Sequence, residues 1–364
     1  MKVVVCGGGI IGNCTAYYLL KHNIKCTVVE QGTVACAASG KAGGFLARDW
    51  CKSDGALHEF AKFSFDLHCE LAKEFDGKQK YDYRRLEAFS AEINRLPKKQ
   101  TTEAQNNKVP WVNGTHIEQR SIQCIGKAGN VAQLHPFKFV NTLCEYSKSK
   151  GAQFIEQDSV CDLLSENQNL IGVKLTSGLT IDCDAIILCM GPWTGLASKW
   201  IPNFPSIHGQ KAHSITVAPK IPIPAQAVFT DYGQYSPELY PRPDGEVYVC
   251  GMAENPVSSA QLPLPQDIHP TSNSCQKIKD MTDLVGDALK EGQVTKSQAC
   301  YLPLTQDGLP LIGKLKELNG VFVGAGHGCW GILNAPATGK ALAELVACGH
   351  STINIDAFDP NRFT

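Results

Sequence analysis

The first thirty residues constrain the fold more than any other part of the chain. Residues 2–6, KVVVC, are rich in β-branched side chains as a buried strand should be, and residues 25–30, KCTVVE, predict a second strand. Between these strands Gly7, Gly9 and Gly12 fit the spacing G-x-G-x-x-G and open a largely apolar helical stretch. This order predicts a βαβ unit whose glycine turn and helix N-terminus receive the pyrophosphate of a dinucleotide.

Glu30 ends the second predicted strand, after the glycine motif. A carboxylate at that place can accept hydrogen bonds from both hydroxyl groups of an adenosine ribose. It would repel a 2′-phosphate, which argues against NADP. FAD and NAD share this βαβ unit, so the unit alone leaves the choice between them open. A glycine-rich turn that binds no ligand is the structural alternative.

A second glycine cluster lies near the C-terminus, in VFVGAGHGCWGILNAPATGKALAEL at residues 321–345. Gly326, Gly328 and Gly331 again fit G-x-G-x-x-G. Few residues follow Gly331, and Pro336 falls where a crossover helix should run without interruption. The cluster is therefore a weak start for a second nucleotide-binding unit, and it raises the question of what else it serves.

Composition and charge argue against several classes of function. The 364 residues are 43% hydrophobic with a net charge of −1, and no long run of one charge suggests binding to nucleic acid or to an anionic membrane. No apolar stretch has the length of a membrane span, and the first strand begins too early for a signal peptide. The 16 cysteines include no C-x-x-C pair, and no H-E-x-x-H occurs, which argues against a metal site. We therefore expect a cytoplasmic, two-domain protein that acts on a small molecule.

Helical and strand-like patterns alternate along the rest of the chain. Helical spacing predicts a helix at about 55–75, capped by Asp54, and another at 136–150, closed by Gly151. Further predictions are a strand at 80–91, an exposed loop at 94–110, a hairpin at 238–251 and a helix at 278–290.

Two further segments suit the neighbourhood of a flat cofactor. ACAASGKAGGFLARDW, residues 35–50, combines small residues with the hydroxyl of Ser39 and a pair of glycines, so its backbone can run under a ring system. CDAIILCMGPWTG, residues 183–195, is a buried strand that leaves through a tight Gly-Pro-Trp turn. Alone, the second segment could equally be an ordinary turn at the end of a strand.

Taken in order, these segments resemble the D-amino-acid oxidase superfamily of FAD enzymes, in particular its glycine oxidase and sarcosine oxidase group. The resemblance covers most of the chain and includes QLHPFKFVNTLCEYSKSKGAQF, DGLPLIG and the closing IDAFDPNRF. The stretches GHGCWGI and ACYLP are similar to an uncharacterised eukaryotic-type branch of that group. The resemblance implies an α/β fold, with a Rossmann-like FAD-binding domain (βαβ start, mixed sheet) and an antiparallel-sheet substrate domain. The FAD-binding domain would comprise residues 1–75, 136–206 and 300–364, and the substrate domain residues 76–135 and 207–299.

The resemblance also implies which residues contact FAD. The first glycine motif would hold the pyrophosphate, and the late cluster would bring backbone N–H groups and a helix N-terminus to the N1–C2=O edge of the flavin. Both clusters would then serve one cofactor. The implied contacts are Gly7, Gly9, Ile11, Gly12, Glu30, Ser39, Lys41, Gly43, Gly44, Val160, Gly191, Trp193, Gly328, Cys329, Trp330, Gly331 and Ile332.

Two positions depart from the way these relatives hold a substrate carboxylate. Glycine-oxidase-like members have an arginine where this chain has Leu302, and sarcosine-oxidase-like members have a lysine where it has Trp330. A charge-assisted hydrogen bond to a carboxylate contributes about 1.5–3 kcal/mol, so either another cation replaces them or the substrate is not a simple α-amino acid. Arg48, Lys41 and Arg242 are the candidate replacements, and the alternative for Arg242 is a solvated residue of the hairpin. Tyr240 and His213 could face the flavin from the substrate sheet, and the alternative is that each is structural. The candidate catalytic residues are Arg48, Tyr240, Arg242 and Trp330.

Cys300 falls where sarcosine-oxidase-like members attach FAD covalently through a thioether. The alternative is that it is one more buried cysteine in a cysteine-rich chain.

The resemblance implies an FAD-dependent oxidoreductase, either an oxidase or a dehydrogenase. Such an enzyme moves a hydride equivalent from a small amine, an amino-acid-like compound or a related CH–X substrate to flavin N5, and oxygen is the expected acceptor. Two other functions stay open at this point. One is an NAD-dependent dehydrogenase that uses only the N-terminal unit, and the other is a flavoprotein with mainly an assembly or trafficking role.

Overall fold

A computed structural model of the chain describes residues 1–51, 54–97 and 108–363. These residues form eight α-helices and twenty β-strands, numbered in chain order. The helices are α1 (Ile10–Lys21), α2 (Ala38–Lys41), α3 (Gly55–Glu74), α4 (Gly77–Tyr81), α5 (Pro136–Ser149), α6 (Ser272–Asp283), α7 (Asp287–Lys290) and α8 (Gly331–Cys348). The strands are β1 (Val3–Cys6), β2 (Cys26–Glu30), β3 (Phe45–Ala47), β4 (Arg84–Arg85), β5 (Glu87–Glu92), β6 (Gln123–Gly126), β7 (Val131–Gln133), β8 (Gln153–Glu156), β9 (Val160–Glu166), β10 (Asn169–Leu175), β11 (Thr180–Asp182), β12 (Ala185–Leu188), β13 (His208–Ala218), β14 (Gln226–Asp231), β15 (Glu238–Pro241), β16 (Val247–Gly251), β17 (Val257–Ser258), β18 (Gln293–Leu304), β19 (Leu311–Lys314) and β20 (Val321–Ala325).

Six strands form a central sheet in the order β19–β20–β12–β1–β2–β8. Neighbouring strands are parallel except for β19 and β20, which are antiparallel. Strand β1, with the sequence VVVC, is buried along its whole length, as a strand covered on both faces should be. The succession β1–α1–β2 is the βαβ unit that the sequence predicts, and the mixed sheet confirms the predicted fold class.

Helix α8 packs against α1 on one face of the central sheet. A Cβ atom at Gly339 would lie only 2.5 Å from the carbonyl carbon of Cys14, so the two helices can approach this closely only because residue 339 is glycine. Strand β20 precedes α8 and is separated from β1 by β12 alone. Because the carboxyl ends of parallel strands meet at one edge of a sheet, both glycine clusters lie at the same edge.

A larger sheet has the order β17–β13–β16–β15–β14–β5–β6, with β18 also paired to β13. Its pairs are antiparallel except that of β5 and β14. Successive side chains of a strand point to opposite faces, so Ile215, Leu239 and Val249 pack into a core that includes residues of α6, while Tyr240 and Tyr248 belong to the other face. Two three-stranded sheets, β3–β7–β4 and β9–β10–β11, complete the fold.

Two helices have the ends that the sequence predicts. The carboxylate of Asp54 accepts a hydrogen bond of 2.8 Å from the backbone N–H of Leu57, which caps α3. Helix α5 begins at Pro136, and Gly151 follows its end with φ of +95°, a left-handed conformation that glycine adopts readily. The hairpin predicted at 238–251 is formed by β15 and β16.

The strand predicted at 80–91 is wrong in part. The segment contains the end of the short helix α4, then β4 and most of β5. Asp76 and Asp82 bound that helix with φ of 50° and 59°, and Tyr81 within it is fully buried. The burial of Tyr81 outweighs the strand preference of the local sequence. Of the loop predicted at 94–110, residues 98–107 lie outside the described residues.

The helix predicted at 278–290 is divided in two. Helix α6 begins earlier, at Ser272, and ends at Asp283, while α7 is a separate short helix. Between them Gly286 passes so near Trp111 that a Cβ atom there would lie 2.1 Å from the Trp111 carbonyl oxygen. Trp111 belongs to a distant part of the chain, so the helical pattern of residues 278–290 does not predict this contact.

Candidate active site

One cavity of about 490 Å³ lies between the edge of the central sheet and the large antiparallel sheet. It extends from the β1–α1 turn, past the 3₁₀ segment Gly191–Lys199, to strands β15 and β16. Residues of both glycine clusters line it. Its volume lies within the range of small-molecule and cofactor sites, about 300–1,000 Å³.

The β1–α1 turn forms one end of this cavity with almost no space around its backbone. A Cβ atom at Gly7, which has φ of +113°, would lie 2.3 Å from the Cys189 carbonyl oxygen. One at Gly12 would lie 2.0 Å from the Gly7 carbonyl oxygen. The N–H of Ile10 donates a hydrogen bond of 2.9 Å to the hydroxyl of Ser39. The turn therefore offers bare backbone and a helix N-terminus, the arrangement that receives a phosphate group.

Glu30 lies beside this turn, at the end of β2. Its carboxylate accepts hydrogen bonds from the backbone N–H groups of Gly8, at 2.6 Å, and Gly32, at 2.8 Å. Burial raises the pKa of Glu30, and these two N–H donors oppose that rise. The carboxylate lines the cavity, where the sequence predicts a ribose.

The late glycine cluster contributes a further part of the cavity wall. Gly326 and Gly328 have φ of +78° and +54°, and a 3₁₀ turn, Gly328–Trp330, leads directly into α8. The N-terminus of α8 therefore carries the partial positive charge of an eighteen-residue helix at the cavity wall. His327 also lines this wall, and burial lowers its pKa to about 3, so its ring is neutral. Within the described part of the chain its Nδ1 atom has no hydrogen-bond partner.

Pro336 lies inside α8 and leaves the carbonyl of Ile332 without its usual helical donor. His68, from α3, supplies the missing donor, because its Nε2 lies 2.9 Å from the Ile332 carbonyl oxygen and 3.2 Å from that of Leu333. Burial lowers the pKa of His68 to about 4, so the ring is neutral with its proton on Nε2. The N–H of Ala337 donates to the Ser64 hydroxyl, also on α3. Helix α3 thus secures the first turns of α8.

Aromatic rings close the far end of the cavity. Phe45 stacks on Tyr240 with ring centroids 5.4 Å apart, and Tyr240 stacks on Tyr248 at 6.0 Å. Trp50 and Phe229 meet edge to face at 4.9 Å, and each also contacts Phe45. We call these five residues the aromatic cluster. All five line the cavity, as do Trp330 and Leu302, the two positions where the resemblance expected a cation.

Glu238 lies next to the aromatic cluster and also lines the cavity. The hydroxyl of Tyr240 donates a hydrogen bond to its Oε2 atom, and the thiol of Cys250 donates to the same atom at 3.5 Å. Burial raises the pKa of Glu238, and these two donors oppose that rise. The sequence analysis did not single out this residue.

No lysine or arginine is found among the lining residues that the structure describes. Arg48, expected as a replacement cation, instead pairs with Asp66 at 3.2 Å and Asp49 at 3.3 Å and does not line the cavity. These two carboxylates compensate its charge near the surface, where about a third of the side chain is exposed.

Lys41 and Arg242 are also held outside the cavity wall. The ammonium of Lys41 donates a hydrogen bond of 3.1 Å to the carbonyl of Ala299. The guanidinium of Arg242 donates to the carbonyl of Ala42 at 3.1 Å and lies 4.8 Å from the ring centroid of Tyr248. Tyr248 lines the cavity and Arg242 does not, so Arg242 contacts a lining ring and not the cavity itself.

Most of the residues that the resemblance implies come together at this cavity. Gly12, Lys41, Arg48 and Arg242 are not among the lining residues. The predicted residues that line it are Gly7, Gly9, Ile11, Glu30, Ser39, Gly43, Gly44, Val160, Gly191, Trp193, His213, Tyr240, Cys300, Gly328, Cys329, Trp330, Gly331 and Ile332.

Several lining residues were missed by the sequence analysis, above all Glu238 and four members of the aromatic cluster. In the hairpin of β15 and β16, Glu238 pairs with Cys250 and Tyr240 with Tyr248, so all four side chains share one face. A period of two along the predicted hairpin at 238–251 could have revealed this face. Phe45, Trp50 and Phe229 join it through tertiary packing, for which the sequence carries no comparable signal.

Cys300 lines the cavity, on strand β18. Burial raises the pKa of its thiol to about 11, although nearby Lys41 opposes the rise. The thiol is therefore protonated at neutral pH, whereas the thiolate is the nucleophilic form of cysteine.

Comparison with known proteins identifies the family. A family model described as FAD dependent oxidoreductase matches residues 2–345. The chain belongs to this family. A Schizosaccharomyces pombe protein, named only provisionally as an oxidoreductase, is 32% identical over 396 residues, covering 99% of this chain and 97% of its own, which fits a eukaryotic branch. Glycine oxidase of Bacillus subtilis is 26% identical, covering 95% of this chain and 92% of its own.

Solved structures of this group share the fold. Glycine oxidase from Geobacillus kaustophilus gives a TM-score of 0.85 at 21% identity and covers 99% of this chain and 98% of its own. L-proline dehydrogenase from P. horikoshii gives 0.82 at 22% identity and covers 100% of this chain and 97% of its own. The match to the family model makes the protein an FAD-dependent oxidoreductase, with FAD rather than NAD as its cofactor.

The cavity walls of this family member fit FAD. The crowded backbone at Gly7 and Gly12 leaves room for a phosphate only on the cavity side. A Cβ atom at Gly191, with φ of +54°, would meet nothing within 4 Å, so that turn leaves open space for a ring. The unpartnered Nδ1 of His327 and the N-terminus of α8 supply polar groups to the same cavity.

Among the described residues no helix is both long and apolar enough to cross a membrane. The same residues contain no group of three or more histidine, cysteine, aspartate or glutamate side chains that could hold a metal ion.

Proposed function

We propose that this FAD-dependent oxidoreductase oxidises a C–H bond beside the nitrogen of a small amine-like substrate, with oxygen as the final acceptor. One observation carries the proposal: a single cavity joins the glycine turn of a dinucleotide site, the N-terminus of α8 and an enclosed aromatic end. By name, two of its relatives act on glycine and L-proline, which are amino compounds.

Bound FAD supplies the electron acceptor, which takes a hydride equivalent from the substrate carbon. In our proposal the β1–α1 turn holds the pyrophosphate and Glu30 the adenosine ribose, while residues 328–332 and the N-terminus of α8 lie at the flavin. The fixed dipole of α8 there favours negative charge on the ring. The residues proposed to contact FAD are those of the sequence analysis that line the cavity, with Gly12 acting through helix packing.

The aromatic cluster is proposed to form the substrate end. Its five rings and Trp330 line that end, so a bound substrate loses most of its contact with water. Exclusion of water strengthens every electrostatic interaction inside the site and protects a reactive C=N product from early hydrolysis. Arg48 and Arg242 do not line the cavity, so we propose no direct contact of theirs with the substrate.

Absorbance of the purified protein and anaerobic reduction test the proposal. We expect the two visible bands of a bound flavin and their loss when an oxidisable amine is added without oxygen. Readmitted oxygen should restore the bands and form peroxide in proportion to the substrate consumed. If no compound in a panel of amines, amino acids and hydroxy acids bleaches the flavin, the proposed oxidation is contradicted, and a flavoprotein with an assembly or trafficking role is favoured instead.

A further inference from the structure

The substrate end of the cavity has an unusual charge pattern for a site that would bind amino acids. A substrate carboxylate needs a cation, yet no lysine or arginine is present among the described lining residues. Two charged side chains lie next to the aromatic cluster. Glu238 lines the cavity, whereas Arg242 contacts the Tyr248 ring at 4.8 Å without lining the cavity. An amino acid carboxylate placed here would meet a buried group of its own charge.

We propose that the cavity binds a small organic ammonium ion that has no carboxylate, held by Glu238 and by the aromatic cluster. This inference deepens the proposed function and rests on it, because it names the class of amine that would be oxidised. The ligand class is a primary or secondary alkyl or arylalkyl amine that binds in its protonated form. The Glu238 carboxylate is placed to accept the proton that the ammonium must lose before a hydride leaves the neighbouring carbon.

Glu238 is placed to accept a hydrogen bond from such a cation. Both of its own donors, the Tyr240 hydroxyl and the Cys250 thiol, bond to Oε2. Across the described residues, Oε1 has no hydrogen-bond donor from the protein. Burial that raises the pKa of this carboxyl also strengthens its attraction to a cation, because few waters compete for it.

The surrounding rings suit the same ligand. Phe45, Tyr240 and Tyr248 form a stacked row, and Trp50 and Phe229 close its side. Aromatic faces attract an ammonium ion through their quadrupole, and groups of several rings recognise alkylammonium ligands in this way. The rings also bury the alkyl part of an amine, which a carboxylate-binding site of charged residues would not favour.

Three compounds that share an isopentyl chain test the inference on the FAD-bound protein. Isopentylamine is a cation, leucine of either hand adds a carboxylate, and isopentanol is neutral. We expect isopentylamine to perturb the flavin spectrum at a concentration at least roughly tenfold lower than leucine or isopentanol does, under anaerobic conditions. Equal or tighter binding of leucine would overturn the inference.

The variant Glu238→Gln keeps the shape of the side chain and removes its charge. It should weaken isopentylamine binding roughly tenfold and leave isopentanol binding unchanged, because only the cation uses the charge. Glu87→Gln, an exposed position on β5 outside the cavity, is the matched control and should change neither. If Glu238→Gln binds isopentylamine as the parent does, the role of Glu238 is excluded.

A second variant covers the case in which Glu238→Gln does not fold or loses FAD. Phe229→Leu removes one ring face without a change of charge, and it should weaken isopentylamine binding more than isopentanol binding.

Failure of the inference and failure of the proposed function give different results. If leucine binds well and bleaches the flavin, the substrate class is wrong and the oxidation stands. If isopentylamine binds selectively but no amine bleaches the flavin, the ammonium site stands and the oxidation is wrong.

Discussion

At the scale of single residues, the backbone of the proposed cofactor site depends on Gly7 and Gly12. Their Cα hydrogens occupy places where a methyl group would overlap a carbonyl oxygen at 2.3 Å and 2.0 Å. The G-x-G-x-x-G spacing was enough to predict this crowding, because the motif places glycine where the backbone leaves no room for a side chain. Glu238 could not be found in the same way, because its meaning depends on which side chains β14 and β16 place beside it.

The variant Gly12→Ala should lose FAD. The new methyl group overlaps the Gly7 carbonyl oxygen, which belongs to the backbone and cannot rotate away. We expect a destabilisation of about 1–3 kcal/mol and a clear fall in the ratio of flavin to protein absorbance. Gly129→Ala, at a turn with nothing within 4 Å, is the control and should keep both. Full flavin content in Gly12→Ala would contradict the proposed pyrophosphate site.

We predict that Cys300 forms no covalent bond with the flavin. Its thiol pKa of about 11 keeps the nucleophilic thiolate scarce at neutral pH. After denaturation in acid, all flavin absorbance should therefore appear in the supernatant. Flavin that stays with the parent protein and is released from Cys300→Ala would establish covalent attachment instead.

At the scale of elements, α8 shows how one helix can depend on another. The late glycine cluster indicates the start of this helix, and Pro336 is visible in the sequence as a disturbance. The hydrogen bonds that compensate for Pro336 cannot be predicted from this part of the sequence, because His68 and Ser64 lie on α3, far away in the chain. The same dependence on distant contacts explains the errors at 80–91 and 278–290, where Tyr81 is buried and Gly286 passes Trp111.

His68→Ala should destabilise the protein, because it leaves the buried carbonyls of Ile332 and Leu333 without their donor. We expect the free energy of unfolding at pH 7.5 to fall by about 1–3 kcal/mol, measured by urea denaturation of the FAD-bound protein. His269→Ala, at an exposed position, should have little effect. Equal stability of the two variants would contradict the role assigned to His68.

The pH dependence of stability should also change in His68→Ala. The pKa of His68 is 6.5 when unfolded and about 4 when folded, so the unfolded chain binds more protons between these values. Stability from this residue is therefore complete above pH 6.5 and is lost as the pH falls towards 4, by up to ~3 kcal/mol. The pKa values of His327 and His135 are also lowered in the folded protein, so these residues preserve part of the acid dependence in the variant. His68→Ala should flatten it, and an unchanged profile would show that His68 does not titrate in this range.

At the scale of the whole molecule, the resemblance predicts the fold class, and the structure adds that both glycine clusters lie at one edge of the central sheet. Parallel strand order accounts for the second result, because β20 and β1 are separated by β12 alone. The division into an FAD-binding and a substrate domain stays a prediction, and β18 (Gln293–Leu304) crosses its boundary at residue 300. The shape of the substrate end could not be predicted, since it joins β3, β14, β15 and β16 across four separate segments.

The central claim is that both glycine clusters serve one FAD. A crystal structure of the purified flavin-bound protein tests it most directly. We predict one FAD per chain, with its pyrophosphate against residues 7–12 and the N1–C2=O edge of its flavin within hydrogen-bond distance of backbone N–H groups in residues 328–332. A flavin bound elsewhere, or a second nucleotide at the late cluster, would contradict the account.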